Sequence, residues 1–203
     1  MLTSEQHAAG KEHMKIEFVS SADAVLDETN YREAVETLMR LRSDKAIGNS
    51  LPSHAAILFE AFFRNAQGRV RIFCQNLNNH VFGINGVVES ATIALNRKNV
   101  GIDILIQDAT PDSGPFLKFL QENRTNPLLR LRRVDKETTR SAPINFSIMD
   151  NEALRYEKDR EKVKAFAIMF APNLAGLLIE KYEKMFAAST PLQIPIIEPD
   201  VAI

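Results

Sequence analysis

The sequence has a single cysteine, Cys74, and no long apolar segment. One cysteine excludes a framework of internal disulfide bonds and favours a reducing compartment. Because Cys74 lies in an apolar run, we interpret it as a small buried side chain rather than a reactive thiol. No apolar run approaches the roughly 18 residues that a membrane-spanning helix needs, and the first residues lack the apolar core of a signal peptide. We therefore expect a cytoplasmic protein that does not bind a membrane.

Several motifs of cofactor and metal chemistry are also missing. The sequence has neither a G-x-G-x-x-G pattern nor a P-loop, the glycine-rich loops that hold nucleotide phosphates. Its four histidines and one cysteine form no cluster with the spacing of metal ligands. The net charge is −1, so no overall field attracts nucleic acid, and such binding would need a local basic patch. The sequence thus predicts no metal and no cofactor.

What is present is an ordinary globular composition. The 203 residues are 45% hydrophobic and 25% charged, which is enough to form a buried core. Residues 1–13 are polar and predicted to be disordered, and residues 14–190 are predicted to form a single α/β domain. Residues 191–203 contain three prolines among apolar residues and form a predicted extended tail. This tail either packs along its own domain or a sister subunit, which we favour, or is loose, which is typical of more polar tails.

The order of predicted elements indicates an α/β fold. Strands and helices first alternate, which predicts a parallel sheet with covered faces, and three consecutive strands then predict antiparallel additions. The expected architecture is a mixed β-sheet flanked by helices on both faces. Strands are predicted over residues 15–19, 69–75, 102–107, 128–134, 144–149, 153–157 and 162–170. Helices are predicted over residues 31–42, 52–67, 84–96, 115–123 and 172–188.

This element order and the segment P-I-N-F-S-I-M-D, residues 143–150, resemble a single repeat of the phospholipase-D-like family. The signature strand of that family carries His-x-Lys, four further residues and Asp. Registered on the aspartate, Pro143 stands in the place of the nucleophilic histidine and Asn145 in the place of the lysine, while Asp150 is retained. The resemblance covers residues 52–188 and implies the fold of the family, with a degenerate motif.

The resemblance also implies what has been lost. In the family, the histidine forms a covalent phosphoryl intermediate, a second histidine from a paired repeat protonates the leaving group, and the lysine neutralises phosphoryl charge. Proline offers no side-chain nucleophile, and asparagine offers only a neutral amide. We expect a catalytically silent module that binds a protein partner or a phosphate-bearing ligand. Because active members pair two repeats, a single repeat implies a homodimer.

Four polar residues are candidates for lining the ligand pocket: Asn145, Ser147, Asp150 and His80. Asn145 and Ser147 share one strand face, and His80 follows a strand, where open α/β sheets bind ligands. Each residue also has a structural interpretation: Asp150 suits a turn, Asn145 and Ser147 can satisfy each other, and His80 can face water. A second hypothesis is a divergent phosphodiesterase or nuclease that uses His80 with Asp150.

A basic segment supplies a third hypothesis. Arg130, Arg132, Arg133 and Arg140 lie close together in sequence, which predicts a phosphate-contacting strip and a nucleic-acid-binding regulator. The alternative is a solvated edge strand whose charges prevent pairing with other sheets, and the aromatic residues that would stack on bases are missing. The run of alternating charge over residues 155–162 is interpreted as a solvated hairpin turn.

Overall fold

The fold is one mixed β-sheet between two layers of helices. The structure, a computed structural model, describes residues 16–20, 26–107, 114–137, 144–159 and 164–194. Within these ranges the strands are β1 (Phe18–Ser20), β2 (Ala46–Asn49), β3 (Arg69–Cys74), β4 (Gly101–Ile106), β5 (Leu129–Arg133), β6 (Asn145–Met149), β7 (Ala153–Asp159), β8 (Lys164–Ile168) and β9 (Thr190–Pro191). The helices are α1 (Glu28–Arg40), α2 (Pro52–Asn65), α3 (Asn85–Asn96), α4 (Pro115–Glu122) and α5 (Pro172–Ala188).

The sheet combines a parallel half with antiparallel additions. Its strand order is β1-β2-β8-β7-β6-β3-β4-β5-β9. The strands β3, β4 and β5 are parallel and are connected through helices, whereas β6, β7 and β8 follow one another and pair antiparallel. Because β6 pairs antiparallel with β3, it joins the two halves at the centre of the sheet. The predicted mixed α/β architecture is confirmed.

The alternation of side chains along the strands creates two cores. On one face, Ile72 of β3 and Ile104 of β4 pack with apolar residues of α1 to α4. On the other face, Phe73 and Phe146 pack against Tyr182 and other residues of α5. Since successive residues of a strand point to opposite faces, the nearly continuous apolar strands β3 and β4 supply both cores. Helices therefore cover both faces, as the sequence predicts.

One interior strand has no counterpart among the predicted elements. Residues 44–50, for which the sequence predicts neither a helix nor a strand, contain β2, which pairs antiparallel with β8. This pairing stabilises a strand of low intrinsic propensity. At the start of α1 the N-cap is Asp27, whose carboxylate accepts a hydrogen bond from the Asn30 N–H at 3.0 Å.

The start of the tail packs on its own domain. β9 pairs with the outer side of β5, and the Leu192 N–H donates to the Leu131 carbonyl at 3.1 Å. The side chains of Leu192 and Ile194 pack against the larger core, as in the packed alternative. The interpretation of β5 as an edge strand is wrong, because β9 covers its outer side.

Residues 1–13 and 195–203 lie outside the described ranges. In the part of the chain that the structure describes, no helix has the length and apolarity to cross a membrane.

Candidate functional site

A cavity of about 240 Å³ opens where β3 ends and β6 begins. Its apolar wall includes Ala55 and Phe59 of α2 and Phe82 of the loop that follows β3. This is the carboxyl end of a parallel strand, where open α/β sheets bind ligands. The polar side of the cavity is contributed by Gln75, Asn76, Asn78, Asn145, Ser147, Arg155 and Glu157.

Asn145 is held by hydrogen bonds to both neighbouring strands. Its Oδ1 accepts from the backbone N–H of Gln75 at 2.9 Å, just past β3. Its Nδ2 donates to Glu157 Oε2 at 3.1 Å on β7, because the β6–β7 register places Asn145 opposite Glu157. The side-chain amide of Asn145 is thus fixed by the protein itself.

Arg155 and Glu157 form a buried ion pair in the cavity wall. Their exposed fractions are 7% and 8%, and Arg155 Nη1 lies 3.2 Å from Glu157 Oε2. Arg155 Nε also donates to Asn49 Oδ1 at 2.9 Å, so β2 supports the same cluster. The interpretation of this segment as a solvated hairpin turn is wrong for both residues. Because they are two residues apart on β7, they lie on the same face of the sheet, the face that α1 to α4 cover. Their mutual pairing offsets the cost of burying charge.

Ser147 and one oxygen of Glu157 remain available at the cavity. Ser147 is buried opposite Arg155 in the β6–β7 pair. Within the described ranges, neither Ser147 Oγ nor Glu157 Oε1 has a hydrogen-bond partner, whereas Glu157 Oε2 is engaged. The cavity therefore presents an acceptor and a hydroxyl beside a guanidinium.

Tyr31 lies behind this cluster, stacked on His54 with ring centroids 3.8 Å apart. Burial raises the pKa of Tyr31, while the charge of Arg155 acts in the opposite direction. Its hydroxyl thus remains protonated well above neutral pH.

Asp150 lies at the other end of β6, in the turn before β7. Its carboxylate accepts hydrogen bonds from the backbone N–H groups of Gln67 at 2.9 Å, Gly68 at 2.8 Å and Arg69 at 2.8 Å. The residue has a φ of 53°, a left-handed conformation that aspartate tolerates better than most residues. Asp150 does not line the cavity of Asn145, and its geometry is that of a turn residue.

His80 is exposed in the loop between β3 and α3. Its backbone N–H donates to Asn78 Oδ1 at 2.8 Å. Asn78 and Val81 line the cavity, but His80 does not. The structure thus brings Asn145 and Ser147 together and places Asp150 and His80 outside their cavity. Ligand binding by these four residues remains a prediction.

The arginine strip is largely engaged within the protein. Arg130 donates from Nε and Nη2 to the buried carboxylate of Asp103, both at 2.6 Å, and its guanidinium lies 4.4 Å from the centre of the Phe186 ring. The hydrogen bond with Asp103 is the main cause that raises the pKa of Arg130. Arg132 donates from Nε to Ser189 Oγ at 2.8 Å. Arg133 is exposed, and the predicted contact Arg140 lies outside the described residues.

Arg155 and Glu157 are the functional candidates that the sequence reading missed. The available signal was the hairpin register: a tight turn that pairs Met149 with Ala153 also pairs Asn145 with Glu157.

No group of three or more His, Cys, Asp or Glu side chains within the described ranges has an arrangement that could hold a metal ion.

No protein-family model and no curated protein matches the sequence. Solved structures match it in fold. Phosphatidylserine synthase from Haemophilus influenzae has a TM-score of 0.54 and 11% identity, over 84% of this chain and 45% of that chain. NucT from Helicobacter pylori has a TM-score of 0.52 and 8% identity, over 72% of this chain and 98% of that chain.

TrmBL2, an archaeal chromatin protein with a novel mode of DNA binding, has a TM-score of 0.52 and 14% identity, over 81% of this chain and 62% of that chain. This chain thus spans less than two thirds of TrmBL2. NucT and the synthase are phospholipase D family members, and at these identities the similarity is one of fold. The chain has a phospholipase-D-like α/β fold.

Proposed function

We propose that this chain is a non-catalytic phospholipase-D-like module that binds a ligand in the cavity between β3, β6 and β7. The observation that carries the proposal is the fixed amide of Asn145, held between the Gln75 N–H and Glu157. An amide in this place supplies no positive charge to a phosphoryl group. No histidine is among the described residues that line the cavity. Polar groups facing a partly apolar cavity are the usual arrangement of a binding site.

The experiment that tests the absence of catalysis uses bis-p-nitrophenyl phosphate and single- and double-stranded DNA. We expect no turnover above that of buffer. The competing hypothesis, a phosphodiesterase or nuclease that uses His80 with Asp150, requires turnover that disappears in His80→Ala. The matched control is His54→Gln, which alters a buried histidine outside the cavity lining. Turnover that His80→Ala abolishes and His54→Gln retains would overturn the proposal.

The proposal includes a homodimer, which the resemblance implies. Two exposed apolar side chains support it: Leu51, which lines the cavity, and Ile84, two residues after the lining residue Phe82, are both more than one third exposed. A second copy would remove this apolar surface from water. Sedimentation equilibrium should give twice the monomer mass, and Ile84→Glu should shift the equilibrium towards monomer. A monomeric wild-type protein at micromolar concentration would instead favour a different protein as the partner on this surface.

Nucleic-acid binding is a second candidate, suggested by the fold shared with TrmBL2. The internal pairing of Arg130 with Asp103 weakens this candidate, because a paired guanidinium neutralises less phosphate charge. If the strip does bind DNA, the affinity should fall steeply with salt and should be lost in the double variant Arg130→Ala with Arg132→Ala. Binding that is absent or independent of salt would remove this candidate.

A further inference from the structure

The charge balance of the cavity points to the class of ligand that it accepts. Of the described side chains that line it, Arg155 and Glu157 are the two that carry charge at neutral pH. They pair with each other at 3.2 Å, so the part of the wall that the structure describes carries no net charge. A phosphate group would meet one cation whose charge is already compensated, next to a carboxylate of its own sign.

The hydrogen bonds of the cluster reinforce this balance. Glu157 Oε2 accepts from both Asn145 and Arg155, and this arrangement holds the carboxylate in the wall. Its Oε1 has no partner within the described ranges and is an acceptor. The backbone N–H of Gln75, a natural donor for an anion at a strand end, is occupied by Asn145 Oδ1 at 2.9 Å. At Glu157 Oε1 and at the Gln75 N–H, the site thus lacks the free donor that an anion requires.

We propose that this cavity binds an uncharged polar small molecule and excludes phosphate-bearing ligands, with Glu157 as the residue that determines this specificity. The ligand carries a hydrogen-bond donor for Glu157 Oε1 next to an acceptor for Arg155, and an apolar face for Phe59 and Phe82. Hydroxyl groups and cyclic amides have this chemistry. The inference rests on the proposed function, because it names the ligand class of the same cavity. The sequence predicts a phosphate-bearing ligand, whereas the charges of the cavity favour a neutral one.

The experiment measures binding by ¹H–¹⁵N NMR at the backbone amide of Gln75, which lies against Asn145. The probes are inorganic phosphate and three neutral molecules, myo-inositol, D-glucose and uracil. The variant is Glu157→Gln, which keeps the shape and an acceptor oxygen but removes the negative charge. The matched control is Glu183→Gln, the same change in a carboxylate that pairs with Arg71 at 2.8 Å outside this cavity. Thermal unfolding establishes that both variants are folded.

We expect the wild type and Glu183→Gln to show no shift with phosphate and a shift with at least one neutral probe. In Glu157→Gln, phosphate affinity should rise at least about tenfold, the fold-change that corresponds to about 1.4 kcal/mol. Phosphate binding by the wild type at Gln75 would overturn the inference. So would phosphate affinity unchanged in Glu157→Gln, or a wild type that binds none of the neutral probes. Hydrolysis of a phosphodiester, a separate readout, would overturn the proposed function itself.

Discussion

The two ends of β6 differ in the kind of group that each polar side chain binds. At the turn end, the Asp150 carboxylate accepts from three backbone N–H groups. At the cavity end, the Asn145 amide bonds one backbone N–H and the side chain of Glu157. Backbone partners are present whatever the neighbouring sequence is, whereas side-chain partners can change together with the residue that they bind.

This difference separates a residue that serves the turn from a set of side chains that depend on one another. Asp150 stabilises the turn between β6 and β7, and every chain with this turn has the same N–H groups to satisfy. The cavity end is instead a set of mutually dependent side chains, in which Asn145, Arg155 and Glu157 compensate one another. A substitution of Asp150 should therefore affect mainly the turn, whereas a substitution of one residue at the cavity end should disturb the other two.

The largest effect expected from breaking the cavity end is that of Glu157→Ala. This variant leaves the guanidinium of Arg155 buried without its carboxylate, and removing one partner of a buried pair costs about 3–5 kcal/mol of unfolding free energy. Denaturation by urea, monitored by circular dichroism, measures the loss.

Its control is Glu183→Ala, which removes the carboxylate paired with Arg71 on the other face of the sheet. The side chain of Glu183 is 45% exposed and that of Arg71 is 13% exposed. Because water reaches the carboxylate, the loss should be about 1 kcal/mol. Equal losses in the two variants would contradict the buried character of the Arg155–Glu157 pair.

The sequence predicts most of the fold because most of its elements have strong local signals. Helix α5 begins at Pro172 and ends at Ala188, as its proline and apolar spacing indicate. The exceptions are β9, a two-residue strand at the start of the tail, and β2, whose four residues include Gly48 and Asn49. This strand forms through pairing with β8, more than a hundred residues later in the chain. Local propensity cannot report such a nonlocal contact.

The candidate site is less predictable because it depends on register. Asn145 and Ser147 follow from the period of one strand, and both line the cavity. Because charged residues are rarely buried, the sequence predicts that Arg155 and Glu157 are solvated. The hairpin register places Glu157 opposite Asn145, but the burial of the pair also involves Asn49 of the unpredicted strand β2. Burial by three separate strands has no signature in a single segment of sequence.

At the turn end, Asp150→Ala should have the next largest effect. The variant loses three hydrogen bonds to a charged acceptor and places alanine at a φ of 53°, which costs roughly 1–2 kcal/mol by itself. Because water can reach the exposed N–H groups of Gln67 and Gly68, we expect a total loss of about 2–3 kcal/mol. Urea denaturation measures it.

Asp150→Asn is the conservative variant at this position. Asparagine tolerates the left-handed conformation and keeps one acceptor oxygen, so it should lose less than half as much stability as alanine. If Asp150→Ala changed neutral-probe binding at Gln75 without lowering stability, the assignment of Asp150 to the turn would be wrong.

The smallest expected effect is on the pH dependence of the unfolding free energy, which can be tested with one buried tyrosine on the cavity face of the sheet and one on the α5 face. Burial raises the pKa of Tyr31 on the first face and of Tyr182 on the second above the ordinary value of 10.0. Above pH 10 the unfolded chain loses these protons while the folded chain keeps them, so stability is full below pH 10 and falls as pH rises towards the folded-state pKa. Each tyrosine contributes about 1.4 kcal/mol per pH unit. Urea denaturation between pH 9 and pH 11 measures how the unfolding free energy falls as the pH rises. The fall should be smaller in Tyr31→Phe and in Tyr182→Phe than in the wild type. If it were unchanged in either variant, the burial of that tyrosine hydroxyl would be contradicted.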